Sequence, residues 1–231
     1  MVQTIVKIIS IEPVTHNVKR FTLEKPKDYS FNPGQATEVS INTPGLKEER
    51  RPFTFTCLPE DDHLEFTIKI YSDHNGVTKA LGNVKAGDEL IVRDVWGAIE
   101  YKGPGTFIAG GAGVTPFIAI FRRLHKDGKV DARPDDPFGR GNKLIFSNRT
   151  SKDIILKDEF DKILGKNFIN ILTEEKGENF EHARINEEYL KKNITDFRQH
   201  FYICGPDPMI KDISDALTKL GADIESVVFE K

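Results

Sequence analysis

The sequence predicts a chain of two unlike halves: an all-β, antiparallel amino-terminal half and an α/β carboxyl-terminal half built on a doubly wound parallel sheet. Three observations predict this. Short strand-like runs separated by turn residues fill the amino-terminal half, with few helical patterns among them. After Gly103-Pro104-Gly105, strand and helix patterns alternate instead. The stretch Phe107–Leu124 (FIAGGAGVTPFIAIFRRL) then reads as a buried strand, a glycine turn and a helix start in succession.

Composition sets outer limits. A chain of 231 residues suits one large domain or two small ones, with ample apolar content for cores. A net charge of -3, with acidic and basic residues nearly balanced, argues against a nucleic-acid or anionic-membrane binder. No apolar run reaches the length of a membrane span, and MVQTIVKIISIEP lacks a signal-peptide plan. Cys57 and Cys204 are far apart and fit no metal pattern, so a cytoplasmic, reduced protein without a structural disulfide or protein-ligated metal is expected.

In the β half, Thr4–Ile11 and Lys19–Leu23 are separated by Pro13 and the Thr15-His16-Asn17 turn. Asn32-Pro33-Gly34 precedes an extended run, Gln35–Ile41. Phe53–Thr56 alternates with period two, as does His63–Tyr71, with Leu64, Phe66, Ile68 and Ile70 on one face and Glu65, Thr67, Lys69 and Tyr71 on the other. Glu89–Val95 follows the Gly87-Asp88 turn. A closed antiparallel barrel or a sandwich accounts for this pattern.

In the α/β half, Phe107–Ala109 leads into a helix from Pro116, with Thr115 as its N-cap. Asp131–Asn142 is a polar, turn-rich loop, and Lys143–Ser147 is the next strand. A helix follows around Ile154–Leu164, with Ile155, Phe160 and Ile163 along one face, and then a strand at Asn167–Leu172. Asn186–Lys192 reads as helix, Phe201–Cys204 as strand, Pro208–Leu220 as helix and Val227–Phe229 as a fifth strand. A ligand crevice belongs at the carboxyl ends of such strands.

Chemistry concentrates at a few places. Gly110, Gly111 and Gly113 precede Thr115-Pro116, an arrangement suited to a phosphate because glycines admit close approach and a helix start offers free N–H groups. It departs from G-x-G-x-x-G, because Pro116 replaces the third glycine, and the strand ending in Ser147 is followed by Asn148-Arg149 rather than by a ribose-binding acid. On spacing alone, a tight strand–helix turn fits equally. Arg51-Pro52-Phe53-Thr54 combines a guanidinium, an aromatic ring and a hydroxyl, and an edge strand with a solvated arginine pair is its alternative. Gly76-Val77-Thr78 is a second candidate phosphate cradle. Three strand ends, Gly110–Thr115, Ser147–Arg149 and Cys204–Pro206, coincide in small or polar residues, as a nucleotide crevice requires.

In order and spacing, Arg51-Pro52-Phe53-Thr54, Gly76-Val77-Thr78, Gly110-Gly111-Ala112-Gly113-Val114-Thr115-Pro116 and Cys204-Gly205-Pro206 resemble the ferredoxin–NADP reductase superfamily across nearly the whole chain. The resemblance is nearest to the compact flavodoxin or ferredoxin reductases. It implies a six-stranded Greek-key barrel binding FAD (residues 1–103) and an NAD(P)H-binding α/β domain (residues 104–231). In the family's R-x-Y-[ST] motif the arginine binds the flavin pyrophosphate, the aromatic ring packs on the isoalloxazine and the hydroxyl lies near N5. These roles carry over to Arg51, Phe53 and Thr54, with Pro52 between them; Phe53 lacks the hydroxyl of the usual tyrosine. Lys69, Ile70 and Tyr71 would lie along the flavin, and Gly76, Val77 and Thr78 would hold its phosphates. Gly110, Gly111, Gly113, Val114 and Thr115 match the nicotinamide loop, and Cys204, with Gly205 and Pro206, the hydride-transfer position. Phe229 is the candidate for the family's flavin-shielding terminal aromatic, though a core strand residue fits it equally, and Glu230 is either a polarising group or a surface carboxylate.

The implied activity is hydride transfer from a nicotinamide to flavin N5, with electrons passed on to a soluble carrier such as ferredoxin or flavodoxin, or to an oxygenase component. An electron-transfer flavoprotein subunit of a larger complex and a ferric-chelate or flavin reductase are the alternatives. A monomer is expected. Arg149, after Ser147, stands where the family grips a 2′-phosphate. Thr173-Glu174-Glu175 places acid where NADPH-selective members carry a second arginine, which favours NADH.

Overall fold

The computed structural model describes residues 3–72, 76–97, 99–131, 141–177 and 180–223, and the backbone of Val227–Phe229. Two compact units form: Met1–Glu100 with Thr115–Ile120, and Tyr101–Val114 with Phe121–Lys231.

The first unit is the antiparallel barrel. Strands β1 (Thr4–Pro13), β2 (Val18–Glu24), β3 (Ala36–Ile41), β4 (Arg51–Thr54), β5 (His63–Lys69) and β6 (Glu89–Trp96) run in the order β4-β3-β6-β1-β2-β5. A bridge between Phe55 and Phe66, with Thr56 N–H donating to the Glu65 carbonyl at 2.9 Å, joins the two outer strands and closes the ring. The bends needed for closure come from irregular register. Strand β1 pairs with β6 through Thr4–Lys7 and with β2 from Ile8 onward, shifting register between Ile8 and Ser10. Strand β3 shifts against β6 between Thr37 and Val39, and there the Thr37 hydroxyl donates to the Arg93 carbonyl and accepts from the Arg93 N–H. One side chain thus replaces the interrupted ladder.

Alternation along β2, β3, β5 and β6 fills the interior with Phe21, Leu23, Val39, Leu64, Phe66, Leu90 and Val92, joined by Phe31 stacked on Phe55 at 4.2 Å. The opposite face of β5 differs from a solvated face: Glu65 is 7% and Thr67 4% exposed. Both are buried because they have polar partners there. Thr56 donates to Glu65 at 2.7 Å and lies 3.2 Å from the Thr67 hydroxyl, and Arg20 Nε is 3.6 Å from Glu65.

The second unit is a parallel sheet of six strands in the order β10-β9-β8-β7-β11-β12: β7 (Gly105–Gly110), β8 (Lys143–Asn148), β9 (Phe168–Leu172), β10 (Glu181–His182), β11 (His200–Cys204) and β12 (Val227–Phe229). Strand β10 exceeds the expected five; two exposed polar residues carry no strand signal. From β7 the chain steps outward through β8, β9 and β10, then returns to the other side of β7 as β11. Strand order reverses there, which makes the carboxyl ends of β7 and β11 the switch point.

Helices α2 (Thr115–Lys126), α3 (Lys157–Leu164), α4 (Glu187–Asn193) and α5 (Asp207–Lys219) complete this half of the chain, α1 (Val77–Ala80) being a single turn in the barrel unit. On one sheet face Phe107 packs against Phe121 of α2, and Phe121 edge-on against Phe160 of α3. On the other, Ile108, Ile145, Ile171 and Ile203 meet Leu190 of α4 and Ile213 and Leu217 of α5. Thr115 is the first helical residue of α2 rather than its cap: Val114 stands at the cap, because a 3-10 turn over Gly111–Val114 runs directly into the helix. Helix α3 starts at Lys157, later than its apolar pattern suggests. A 3-10 turn over Ser151–Asp153, closed by a Thr150–Asp153 capping box, and Leu156 at φ 52 intervene. Its buried face is Phe160 and Leu164, with Ile163 only half-buried. Among the described residues no helix is long and apolar enough to cross a membrane.

Candidate functional site

In the barrel unit, β4 pairs with β3 so that Arg51 opposes Val39, Pro52 opposes Glu38, Phe53 opposes Thr37 and Thr54 opposes Ala36. Arg51 and Pro52 are exposed, Phe53 is half-buried with its ring 6.4 Å from that of Phe66, and Thr54 is buried. The Arg51 guanidinium donates to the neighbouring Arg50 carbonyl at 2.6 Å, which bends it back along the strand. That bend carries it to the Gly76 turn. Among the described residues, a Cβ built on Gly76 would meet Arg51 Nη2, at 3.8 Å. Gly76 has φ +147, which a side chain would strain, and it begins α1, whose Val77 is buried in the barrel core while Thr78 is half-buried. Arg51 and Gly76, 25 residues apart in sequence, are therefore neighbours in space. A guanidinium opposite backbone N–H groups that have no intrahelical acceptor suits a pyrophosphate, so the residues present fit FAD there. Lys69 closes β5, with its ammonium 5.5 Å from the centre of the exposed Tyr71 ring; Ile70 N–H donates to the Asn17 carbonyl.

In the α/β unit, the glycine turn is closed by direct backbone contact. A Cβ on Gly113 would lie 2.3 Å from the Cys204 carbonyl oxygen and 2.6 Å from Gly205 N. One on Gly110 would lie 2.5 Å from Met209 Sδ and 3.1 Å from Pro206 Cδ, and one on Gly205 would lie 3.2 Å from Gly110 N. Gly111, by contrast, has φ +53 and nothing within 4 Å of a Cβ. The tight glycines let the β7 and β11 ends touch, and the open one leaves backbone accessible at the turn, as a dinucleotide phosphate requires. Val114 is buried, Thr115 follows it as the first residue of α2, and Cys204 is buried at the end of β11.

The third strand end is ordered by acids. Ser147 is in register with Gly110, and Arg149 lies just beyond, 79% exposed, with its Nε 3.6 Å from Glu174. Glu175 accepts from both the N–H and the hydroxyl of Ser151 at 2.8 Å, and these bonds, the backbone one foremost, hold its carboxyl below the usual range. Arg149 and Glu174 are also tied by their backbones, Glu174 N–H donating to the Arg149 carbonyl at 2.9 Å. Met209, Glu175 and Ser151 were not singled out from sequence. A methionine in an amphipathic helix and a serine in a turn carry no local mark of such contacts. Phe229 is in register with Ile203; its side chain and Glu230 lie outside the described residues.

Comparison with known proteins agrees with this geometry. Residues 5–101 match the oxidoreductase FAD-binding domain family, and residues 107–215 the oxidoreductase NAD-binding domain family. NADH-cytochrome b5 reductase 1 of Aspergillus terreus is 31% identical over 231 aligned positions, covering 90% of this chain and 74% of that protein. The propane 2-monooxygenase reductase component of Mycolicibacterium goodii is 28% identical, over 88% of this chain and 60% of that protein. The chain thus spans about three fifths of the length of some of the curated relatives it matches. In fold it is similar to the FAD/NAD-binding domain of a Vibrio cholerae nitric oxide dioxygenase (TM-score 0.83, 20% identity, 98% and 97% of the two chains). It is also similar to a Neisseria gonorrhoeae ferredoxin NADP+ reductase with bound FAD and NADP (TM-score 0.81, 19% identity, 99% and 98%). With a barrel that matches the FAD-binding family, a sheet that matches the NAD-binding family and a relative above 30% identity, the chain belongs to the ferredoxin–NADP reductase superfamily of FAD- and nicotinamide-binding oxidoreductases.

Proposed function

We propose that this chain is an FAD-dependent NADH oxidoreductase that hands electrons to a separate protein acceptor, an oxygenase component foremost and a soluble carrier such as ferredoxin or flavodoxin second. The observation that carries the reading is the presence of two phosphate-suited glycine turns in one chain: Gly76 with the Arg51 guanidinium beside it, and Gly110–Gly113 closed on Cys204-Gly205. FAD, when bound, supplies the exchange between hydride chemistry and single-electron transfer.

The chain's own residues then bind, orient and exclude water, since hydride transfer needs no protein nucleophile and no strong acid or base. Arg51 and the N–H groups of Gly76, Val77 and Thr78 would take the flavin pyrophosphate. Phe53, Thr54 and the Lys69–Tyr71 edge would take its ring system. Gly110, Gly111, Gly113, Val114 and Thr115 would take the nicotinamide dinucleotide, with Cys204, Gly205 and Pro206 at its reactive end and Ser147 and Arg149 toward its adenosine. On this reading residues 1–103 form the flavin domain and 104–231 the nicotinamide domain.

The preference for NADH rests on Glu174. It pairs with Arg149, the cation that a 2′-phosphate would need, and adds negative charge beside it. The acceptor is suggested by relatives described as reductase components of propane 2-monooxygenase. Anaerobic titration of the purified protein with NADH and with NADPH, followed in the visible spectrum, tests the reading. Bleaching of a flavin band by stoichiometric NADH is expected. A protein that stays colourless after FAD is added would overturn it, and preferential reduction by NADPH would overturn the choice of nicotinamide.

A further inference from the structure

The α/β unit holds a cavity of about 470 Å³ at the end of its sheet away from the glycine turn. Pro104, which precedes β7, and His200, which begins β11, line it, together with residues from the last turn of α2 and just beyond. The six residues of β7 span roughly 16 Å at about 3.3 Å per step, so the cavity is separate from the turn at the strand's other end. Its volume is that of a small-molecule site, about 300–1,000 Å³.

The lining is dominated by one sign of charge. Among the described residues, Lys102, Arg123, Lys129 and Arg198 supply four cations and Asp127 one carboxylate. Asp127 is shared, its Oδ1 3.7 Å from Arg123 and its Oδ2 3.4 Å from Lys129. One carboxylate does not neutralise two cations, and solvated pairs of this length hold little. Asp196, outside the lining, pairs with Arg198 at 3.2 Å. Two positive charges stay uncompensated with Asp196 counted, and three without it. A solvated basic face spreads such side chains apart, whereas here they converge on one concave wall, which focuses their field.

The backbone behind them is fixed. The Tyr202 hydroxyl accepts from the N–H groups of Lys102 and Gly103 and donates to the Gly103 carbonyl, and the Tyr101 ring stacks 6.0 Å from that of Tyr202. On the α2 side, the N–H groups of Asp127, Gly128 and Lys129 donate to the carbonyls of Arg123, His125 and Leu124 at 2.9, 3.1 and 2.8 Å. These bonds hold Lys129 in place. They also occupy carbonyls that would otherwise oppose an anion at the end of a helix.

We propose that this cavity binds a small molecule bearing a diphosphate group. Guanidinium and ammonium groups donate and never accept, and a diphosphate offers acceptor oxygens only. The planar fork of an arginine matches two phosphate oxygens at once. A diphosphate also supplies the two to three negative charges that the lining lacks, which a single carboxylate does not. Leu124, Pro104 and the Tyr101 ring add apolar surface for the rest of the molecule.

Calorimetric titration of the FAD-loaded protein with inorganic pyrophosphate at low ionic strength tests this. Saturable binding is expected. Lys102→Gln and Lys129→Gln should each weaken it about fivefold to tenfold, the loss of one charge-assisted hydrogen bond at an exposed site. Asp127→Asn should strengthen it about twofold to fivefold, a gain that a damaged fold does not produce. Arg149→Gln at the end of β8 and Lys211→Gln on α5 make the same change of charge elsewhere and should leave affinity unaltered. Absence of binding by the wild type would overturn the proposal, as would unchanged affinity in the cavity variants. Equal weakening by either control would overturn it too, because the anion would then answer to diffuse charge or to another site. Citrate binding as tightly as pyrophosphate would overturn the assignment to a diphosphate.

Discussion

Gly113→Ala is the sharpest probe of how the nicotinamide turn is built. The added methyl carbon would sit 2.3 Å from the Cys204 carbonyl oxygen, 2.5 Å from its carbon and 2.6 Å from Gly205 N. All three are backbone atoms, so no side chain can swing away. Ordinary non-bonded separation is about 3.5 Å, and the two chain segments must part by roughly 1 Å. They are held together by the β7–β11 ladder, in which Cys204 opposes Ala109, only four residues before Gly113. Overpacking of this kind costs about 1–3 kcal/mol, and the value should lie at the upper end because the obstruction is main chain. For a chain of this size that is a fall in melting temperature of roughly 6–12 °C. Parting the strand ends also displaces the turn proposed to hold the dinucleotide, so nicotinamide affinity should drop about tenfold or more. Gly111→Ala is the matched control: it meets nothing within 4 Å and bears only the strain of φ +53, about 1–2 kcal/mol. Unfolding followed by flavin fluorescence, with NADH titration under anaerobic conditions, compares the pair. A Gly113→Ala protein that melts and binds like Gly111→Ala would refute the backbone-contact argument.

Three further outcomes follow from the geometry. Arg51→Gln should weaken FAD retention about tenfold to thirtyfold, the worth of a charge-assisted hydrogen bond, as read by dilution and flavin fluorescence; undiminished retention would remove Arg51 from the proposed pyrophosphate site. Glu174→Gln should raise kcat/KM for NADPH relative to NADH by only about twofold to fivefold, because the Arg149–Glu174 pair is solvent-exposed; a shift toward NADH would contradict the proposed role of the acid. Tyr202→Phe removes a hydroxyl that accepts from Lys102 and Gly103 N–H at 2.9 and 3.0 Å and donates to the Gly103 carbonyl at 2.8 Å, so at pH 8 it should lose about 1–3 kcal/mol in urea. Burial pushes that hydroxyl up to about 12 from its ordinary 10, so its contribution is complete below pH 10 and is lost as pH rises toward 12. The gap between variant and wild type should therefore narrow at pH 11, and a gap independent of pH would refute the assignment.

How much of this was legible in the sequence depended on whether a residue's task is local. Gly110, Gly111 and Gly113 read as a turn from three neighbouring letters, and each has its own reason: side-chain crowding at Gly110, a positive φ at Gly111 and backbone contact at Gly113. Alternation in β5 correctly gave Leu64, Phe66 and Ile68 to the core. It could not show that Glu65 and Thr67 on the other face are buried too, since their partners Thr56 and Arg20 come from elsewhere in the chain. Leu156 in the left-handed region delayed α3, and nothing in a leucine announces that conformation. Strand β10 was missed because main-chain pairing with β9, not side-chain pattern, makes it a strand.

The same distinction separates the residues of the candidate site. Arg51 and Gly76 were each noticed for their type, but only the fold shows that the Arg50 carbonyl bends one toward the other. Glu174 was read as an acid in an unwelcoming place for a 2′-phosphate, and the fold adds that it already pairs with the arginine in question. Glycines and charges advertise what a backbone or a ligand requires of them, whereas the pairing of Arg149 with Glu174 depends on two strand ends brought together by register, where Glu174 N–H donates to the Arg149 carbonyl and the two side chains follow. That is why motifs reach the turns and not the contacts that set their charge.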